Sequence, residues 1–417
     1  MTRTTRLAVA LDGAGWHPAA WREPSARPTE LFTPDYWADL VRTAAAGGVD
    51  FVTIEDSLAL QSSDRLHPDD RVDEVRGRLD ATILANRLAP VTAGIGLVPT
   101  VTTTYTEPFH VSTAIATLDF VSGGRAGLQA KLSLRDEERT GTGHEPNTAE
   151  AVIEQRVESD EAAAAFAEAA EAIEVVRRLW DSWEDDAEIR DAATDRFIDA
   201  DKLHTIDYAG DAFTVRGPSI VPRSPQGQPV VTALAHHTVP YRFAAQQADV
   251  VFVTPDADTP FSGPVDAVLA QVRDAERAVG RHGLPLQVYV DLVVLLDDPA
   301  QGGELAADRL ARLDALGRPL TSDARIVAGS ASTVADRIEA YVAAGYDGVR
   351  LRPGVATDDL PRIAADLVPE LRRRELRDAA PAAAGASLRE IIGLPAAGPS
   401  RYAGQTGRIS PAPASAL

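Results

Sequence analysis

Residues 93–133, AGIGLVPTVTTTYTEPFHVSTAIATLDFVSGGRAGLQAKLS, hold one whole repeat of the fold. Ala93–Val98 (AGIGLV) is a short apolar run of strand length. Pro108–Val121 reads as a helix closed by Gly123-Gly124, and Gly127–Ser133 (GLQAKLS) reads as the next strand. Strand, covering helix, strand is the unit of a parallel sheet.

The same alternation runs outward in both directions. Before it come a strand at Leu7–Leu11, a helix at Pro34–Ala46 with proline in its first turn and Gly47-Gly48 after it, a strand at Asp50–Glu55 (DFVTIE) and a helix at Leu79–Leu88. After it, strands are predicted at Pro229–Leu234, Val250–Val253, Leu286–Leu296 and Gly348–Leu351. Helices are predicted up to about Gln247 and at Val265–Val279, Ala300–Leu316, Ser332–Ala344 and Asp359–Arg374, with a short apolar patch at Ile326-Val327-Ala328. Eight strands, each followed by a helix, point to an α/β fold, a closed parallel (β/α)8 TIM barrel. An open doubly wound sheet also alternates but usually has fewer strands. The pattern breaks at about 135–216, a polar stretch around one long helix, Glu158–Trp183, read as an insertion between strands four and five. The barrel is assigned to 1–377 and a Pro/Ala/Gly-rich arm to 378–417, docked through Leu388–Leu394.

Composition narrows the partners. Lys and Arg total 41 against 62 Asp and Glu, a formal net charge of −21, so neither nucleic acid nor an anionic membrane is an expected partner. The absence of cysteine excludes a thiolate nucleophile, a Cys-zinc site and disulfides. Leu7–Leu11 is too short for a signal-peptide core and Asp12 ends it, so the chain is expected to be soluble and cytoplasmic.

A barrel carries its chemistry on the loops after its strands. There is no G-x-G-x-x-G after a strand, no G-x-x-x-x-G-K-[ST] and no H-E-x-x-H, so no metal ligand is assigned. Asp56, in Glu55-Asp56-Ser57 after the second strand, can accept hydrogen bonds from a ligand or cap the next helix. Thr100–Tyr105 (TVTTTY) follows the third strand and can bind carbonyl or phosphate oxygens; it falls where that strand should already be over. On the fourth strand Gln129, Lys131 and Ser133 share one face, and Leu128, Ala130 and Leu132 the other. The leucine face should meet the helices, which sends Lys131 inward near the mouth, where it either serves a ligand or pairs with an acid, Glu55 and Asp56 being the first candidates. Arg350 and Arg352 share a face of the last strand and reach either an anionic substrate or helix-facing ion pairs.

With these residues in place, the chain resembles the bacterial luciferase-like flavin monooxygenases, in the branch of nitrilotriacetate and dibenzothiophene-sulfone monooxygenases. The resemblance runs from about Leu7 to Tyr402, through HPAAWR (His17–Arg22), DFVTIEDS (Asp50–Ser57), Thr100–Tyr105 with Pro108-Phe109-His110, ATLDFVSGGRAG (Ala116–Gly127), IEVVRRLWDSW (Ile173–Trp183), PRSPQGQP (Pro222–Pro229) and VPELRR (Val368–Arg373). It implies the barrel fold and a two-component oxygenase that takes reduced FMN from a separate flavin reductase, uses O2 and acts on a small organic substrate. A homodimer or higher homo-oligomer is expected. It implies cofactor contacts from Asp56 and Thr102, with Thr103 as the neighbouring alternative, and places Gln129 where the family usually has Asn. No catalytic residue is assigned.

Other positions depart from the family. Phe166 and Ala162 stand where it has tyrosine and histidine. Ala235-His236-His237-Thr238-Val239-Pro240 replaces a glycine- and serine-containing phosphate loop, His237 taking the serine position. His236, His237 and Thr238 are therefore expected to serve the phosphate, and Lys131, where the family is apolar, to face the cofactor. Two alternatives stay open: a deazaflavin-dependent oxidoreductase, and a non-catalytic partner subunit that has lost flavin.

Overall fold

A computed structural model describes residues 4–64, 67–145, 160–259, 262–298, 302–378 and 385–405, together with 300 and 383. The predicted helix start at 158–159 and parts of the arm (379–382, 384 and 406–417) lie outside the described residues. Among those described, no helix is long and apolar enough to cross a membrane.

The barrel strands are β1 (Arg6–Leu11), β2 (Phe51–Ile54), β3 (Gly96–Thr102), β4 (Gly127–Lys131), β5 (Val230–Leu234), β6 (Val250–Val253), β7 (Gln287–Leu296), β8 (Arg325–Gly329) and β9 (Gly348–Pro353). All pair in parallel, and the ring closes as β1-β2-β3-β4-β5-β6-β7-β9 and back to β1, eight strands as expected. The patch at Ile326–Ala328 is the core of β8, a ninth strand outside the ring. Strand β7 is long enough for three partners. Its first residues pair with β6, its middle with β9, and Leu292–Leu296 with β8, which takes the edge of β7 that β6 leaves bare above its own end.

Helices α1 (Pro34–Gly47), α2 (Ala81–Leu88) and α3 (Pro108–Ser122) cover β1 to β4. Helix α1 starts on Pro34, whose missing N–H costs nothing in a first turn, and stops at Gly48, whose φ of 81° is the left-handed conformation that glycine adopts freely. After β4 come α4 (Asp136–Gly141), α5 (Asp160–Trp180) and two short hairpins before β5. Helix α5 lies on α3, and its Trp180 Nε1 donates to Ser112 O at 3.1 Å. Then α6 (Thr238–Gln247), α7 (Val265–Ala278), α8 (Ala306–Asp314), α9 (Ala331–Ala343) and α10 (Ala356–Arg362) complete the wall; α10 runs through one π turn, Ile363–Leu367, into α11 (Val368–Arg373). Helix α8 is shorter than the predicted 300–316. Strand β3 starts later and ends later than its predicted run, so Thr100–Thr102 lie inside the strand after all.

Strand parity decides what fills the barrel. Leu128 packs in the outer core with the helices, while Gln129 points inward, as the alternation on β4 requires. At the base, the inward positions are Phe51, Val98, Val230, Val250, Phe252 and Tyr289, and the arm closes on them. Leu388, Ile391, Ile392 and Leu394, on and just after helix α12 (Leu388–Ile391), plug the barrel from below. Gly96 and Gly127 make the room: a Cβ on Gly96 would come within 2.4 Å of Leu388. Burying four such side chains contributes about 1.5–3 kcal/mol each.

Candidate active site

Above this apolar floor the same strands turn polar. Thr53, Thr100, Gln129, Thr232, Asp291 and Arg350 are all within 1% of complete burial. All but Thr232, whose hydroxyl donates to Leu128 O, belong to a hydrogen-bonded belt around the mouth. Asp291 on β7 takes Arg350 Nε at 2.7 Å and Nη2 at 2.6 Å, and also takes Arg352, two residues along β9. Arg350 Nη1 reaches Gln129 Oε1 at 2.6 Å and Glu55 at 3.3 Å, with its guanidinium 4.0 Å from the Phe252 ring centre. Arg352 stacks on Trp16 and reaches Asp323 at 2.6 Å; its Nε is buried without a hydrogen-bond partner. Asp323 lies 3.3 Å from His236 Nε2, and His236 Nδ1 lies 2.9 Å from Thr254 Oγ1. Carboxylates and guanidinium groups alternate, which is what makes such burial tolerable. Burial alone would raise the Asp291 and Asp323 carboxyls, but their arginines outweigh it and hold both well below the usual range. Arg350 and Arg352 thus form ion pairs facing the barrel axis, not the helices, and each already holds a carboxylate.

Five of the expected cofactor residues converge where β2, β3 and β4 end. Thr102 is the register partner of Lys131. Thr103 donates to Lys131 O from its N (2.8 Å) and its Oγ1 (3.1 Å). Lys131 Nζ donates to Asp56 O at 3.0 Å and to Glu138 Oε1 at 3.3 Å. The inward orientation is as expected, but the paired acid is neither Glu55 nor the Asp56 carboxylate: it is Glu138 of α4. Glu138 is fully buried, takes Ser57 Oγ at 2.5 Å, and leaves its Oε2 without a hydrogen-bond partner. Burial would raise its carboxyl, yet Lys131 and Ser57 bring it below the usual range. Asp56 assists at the start of α2, whose N-cap is Asp80 accepting from Ile83 N: Asp56 Oδ2 accepts from Ala81 N at 2.8 Å and Oδ1 from Ser57 N at 2.7 Å. Burial raises its carboxyl, and these two donors only partly oppose that.

Gln129 is placed differently from its expected role. Its Nε2 donates to Thr100 Oγ1 at 2.7 Å and to Glu55 at 3.1 Å, and its Oε1 accepts from Arg350. That amide is engaged at both ends and fully buried. His236, His237 and Thr238 lie next along the rim, after β5, the strand that pairs with β4. His237 occupies the N-cap position of α6, with Thr238 exposed as its first residue. His236 is turned instead toward Thr254 and Asp323. Burial, aided by Arg352, lowers its imidazole below the usual range, and Asp323 and Asp291 only partly oppose this.

Other site residues were missed or given another role. Glu55 was named only as a partner for Lys131, although the parity argued on β4 puts Phe51, Thr53 and Glu55 on one face of β2. Asp291 was readable as the lone charge in QVYVDLVVLL. Thr254 opens the loop Thr254–Asp258 after a strand, a place where a barrel carries chemistry, but nothing singled out the residue itself; Asp323 carried no signal, since loop closure alone brings it to the site.

The fold and this polar mouth define a parallel barrel with its buried polar groups at the C-terminal ends of the strands. The model of the luciferase-like monooxygenase family matches residues 16–302, and the chain belongs to that family. It is 37% identical over 247 residues (59% of this chain, 52% of the relative) to N-acetyl-S-(2-succino)cysteine monooxygenase of Bacillus subtilis. It is 38% identical over 244 residues (57% of this chain, 51% of the relative) to nitrilotriacetate monooxygenase component A of Aminobacter aminovorans. The chain thus spans about half the length of these curated relatives. The solved structure of EDTA monooxygenase from Chelativorans sp. BNC1 superposes with a TM-score of 0.77 at 20% identity, over 94% of this chain and 99% of that one, and shows the same fold.

Proposed function

We propose that the chain is the oxygenase component of a two-component flavin monooxygenase, which takes reduced FMN from a separate reductase and oxidises a small organic substrate with O2. The observation that carries this reading is the family match over residues 16–302, a span that contains every residue of the arc from Asp56 to Thr238. Bound reduced flavin would supply the two electrons and activate O2. The donor set suits such a group at its ring end, where Thr102 and Lys131 sit side by side on the inner wall. At the phosphate end the backbone amides of Thr238 and Val239, the two that open α6 before Pro240, would serve with His237 and Thr238 as the anion-binding element. His236 does not suit that role, because the Asp323 carboxylate beside its Nε2 would repel a phosphate. Arg350 and Arg352 are neutralised by Asp291, Glu55 and Asp323, so this reading assigns no anionic substrate to them.

The test is an anaerobic titration of the whole chain with reduced FMN, oxidised FMN and a deazaflavin, followed by flavin fluorescence and absorbance. Saturable binding of reduced FMN, tighter than the other two, is the expected result. Tighter deazaflavin binding makes the chain a hydride-transfer enzyme, and no binding of any of the three makes it a partner subunit; either overturns the proposal.

A further inference from the structure

One flank of the belt ends in a hydroxyl, an imidazole and a carboxylate in sequence. Thr254 directly follows β6, two residues beyond the inward-facing Phe252, and is 5% exposed. Its Oγ1 is 2.9 Å from His236 Nδ1, His236 Nε2 is 3.3 Å from Asp323 Oδ2, and Asp323 is held by Arg352 at 2.6 Å. The contact of Nε2 with Asp323 is an ion-pair approach without hydrogen-bond geometry, but a carboxylate there repels a ring lone pair and favours a proton on Nε2. That tautomer leaves the Nδ1 lone pair for the Thr254 hydroxyl.

We propose that Thr254, His236 and Asp323 form a proton relay at the mouth, with Thr254 Oγ1 exchanging a proton with the bound ligand and His236 Nδ1 as the base behind it. The proton count is closed. An O–H or N–H proton of the ligand passes to Thr254 Oγ1 as the hydroxyl's own proton passes to Nδ1. The imidazolium is held by Asp323, and the reverse transfer restores both. No electrons move and no heavy-atom bond changes. The arrangement follows the general rule for an activated hydroxyl, a base within hydrogen-bond reach that is itself oriented by a third group.

The charged surroundings suit this role. His236 is faced by Asp323 ahead of β8, Arg352 on β9, Asp291 on β7 and His237 on its own loop. Together they leave the imidazole neutral and the carboxylate ionised at neutral pH, the states a resting base and its orienting acid require. The relay rests on the proposed function only for the ligand's identity.

Two measurements test it. In the full chain without flavin, 15N NMR of the imidazoles, with His236 assigned by its loss in His236→Gln, is expected to show the Nε2–H tautomer and a pKa below ~6.5. Asp323→Asn should lower that pKa further, since the carboxylate favours imidazolium. With reduced FMN bound, Thr254→Val should slow reoxidation of the flavin by O2 by about 100-fold, with flavin affinity within about twofold and with Thr254→Ser retaining the rate. An Nδ1–H tautomer, or an unchanged rate in Thr254→Val, overturns the relay. So does a His236→Gln variant that loses flavin affinity but keeps its rate when loaded, since that makes His236 a phosphate ligand. If the chain binds no reduced FMN, the functional reading fails, while the tautomer and the Asp323→Asn shift still decide whether the relay exists.

Discussion

At the base of the barrel β2 offers Phe51 and β7 offers Tyr289 to the interior; at the mouth the same two strands offer Glu55 and Asp291. On β4 and β9 the change is from glycine to charge, Gly127 to Lys131 and Gly348 to Arg350. Each strand crosses from an apolar plug to an ionic belt within two to four residues. The two ends are held by different physics. The base is held by area removed from water and by the fit of Leu388 over Gly96 and Gly127, which tolerates swaps of similar volume. The mouth is held by pairing, where each group is tolerated only because its partner is present. Loss of one group should therefore be worse at the mouth, and it should depend on pH there but not at the base.

The largest effect is expected at Asp291. Asp291→Ala strands the guanidinium groups of Arg350 and Arg352, both at most 2% exposed, without their shared carboxylate. Breaking such a buried pair costs about 3–5 kcal/mol, to be read as a lowered midpoint in urea. A cost below about 1 kcal/mol would mean water reaches the belt freely and the contrast between the ends is false. At the base, Leu388→Ala should cost about 2–4 kcal/mol, with the loss the same at pH 6 and pH 8 and the His236 titration unmoved. A shifted His236 titration in that variant would show that the two ends are coupled.

How much of this contrast the sequence revealed depends on whether a feature is local. Strand period is local, so parity on GLQAKLS already turned Lys131 and Gln129 inward, and the apolar run at Leu388–Leu394 already marked the docking part of the arm. Partners are not local. Lys131 pairs with Glu138, which sits in a polar stretch that looked like an insertion and nothing more. Gln129 looked like a ligand contact because nothing in sequence shows that Thr100, Glu55 and Arg350 take up its amide. Strand β8 looked like a stray patch because its place depends on β7 outrunning β6. Nor could sequence place Asp323 beside His236, since it comes from a loop 87 residues away.

Lys131→Met separates pairing from cofactor binding. It leaves the fully buried Glu138 carboxylate without its cation, at a cost of about 1–3 kcal/mol at neutral pH. In the native chain the Glu138 pKa is depressed, so its contribution is present above the unfolded carboxyl pKa, ~4.3, and is lost as pH falls through the lower folded value. The stability gap between native and variant chains should therefore narrow in acid. A gap that stays constant with pH would point to lost packing of the lysine stem. A stable variant that has lost only affinity for reduced FMN would return Lys131 to the cofactor.

The smallest effect is expected at Asp56, and it bears most directly on the mouth. Its two oxygens accept from Ser57 N beside it and from Ala81 N, the first residue of α2, so Asp56→Ala leaves those two N–H groups without their acceptor while the Asp80 cap stays, a loss of about 1 kcal/mol. Burial works against the native residue: it raises the Asp56 carboxyl, so ionisation at neutral pH already carries a penalty that alanine removes. The net change should be small at neutral pH and larger in acid below the unfolded carboxyl pKa, ~3.9, because a raised folded pKa withdraws stability only as pH rises from that value through the folded one and leaves it constant above. Asp56→Asn keeps an acceptor oxygen without the charge. If Asp56 only holds these two amides, both variants bind reduced FMN as the native chain does, and asparagine restores most of the stability that alanine loses. If Asp56 also contacts the flavin, alanine weakens binding by more than the stability change accounts for, and asparagine fails to restore it. Titration of the two variants side by side at one pH decides between these outcomes.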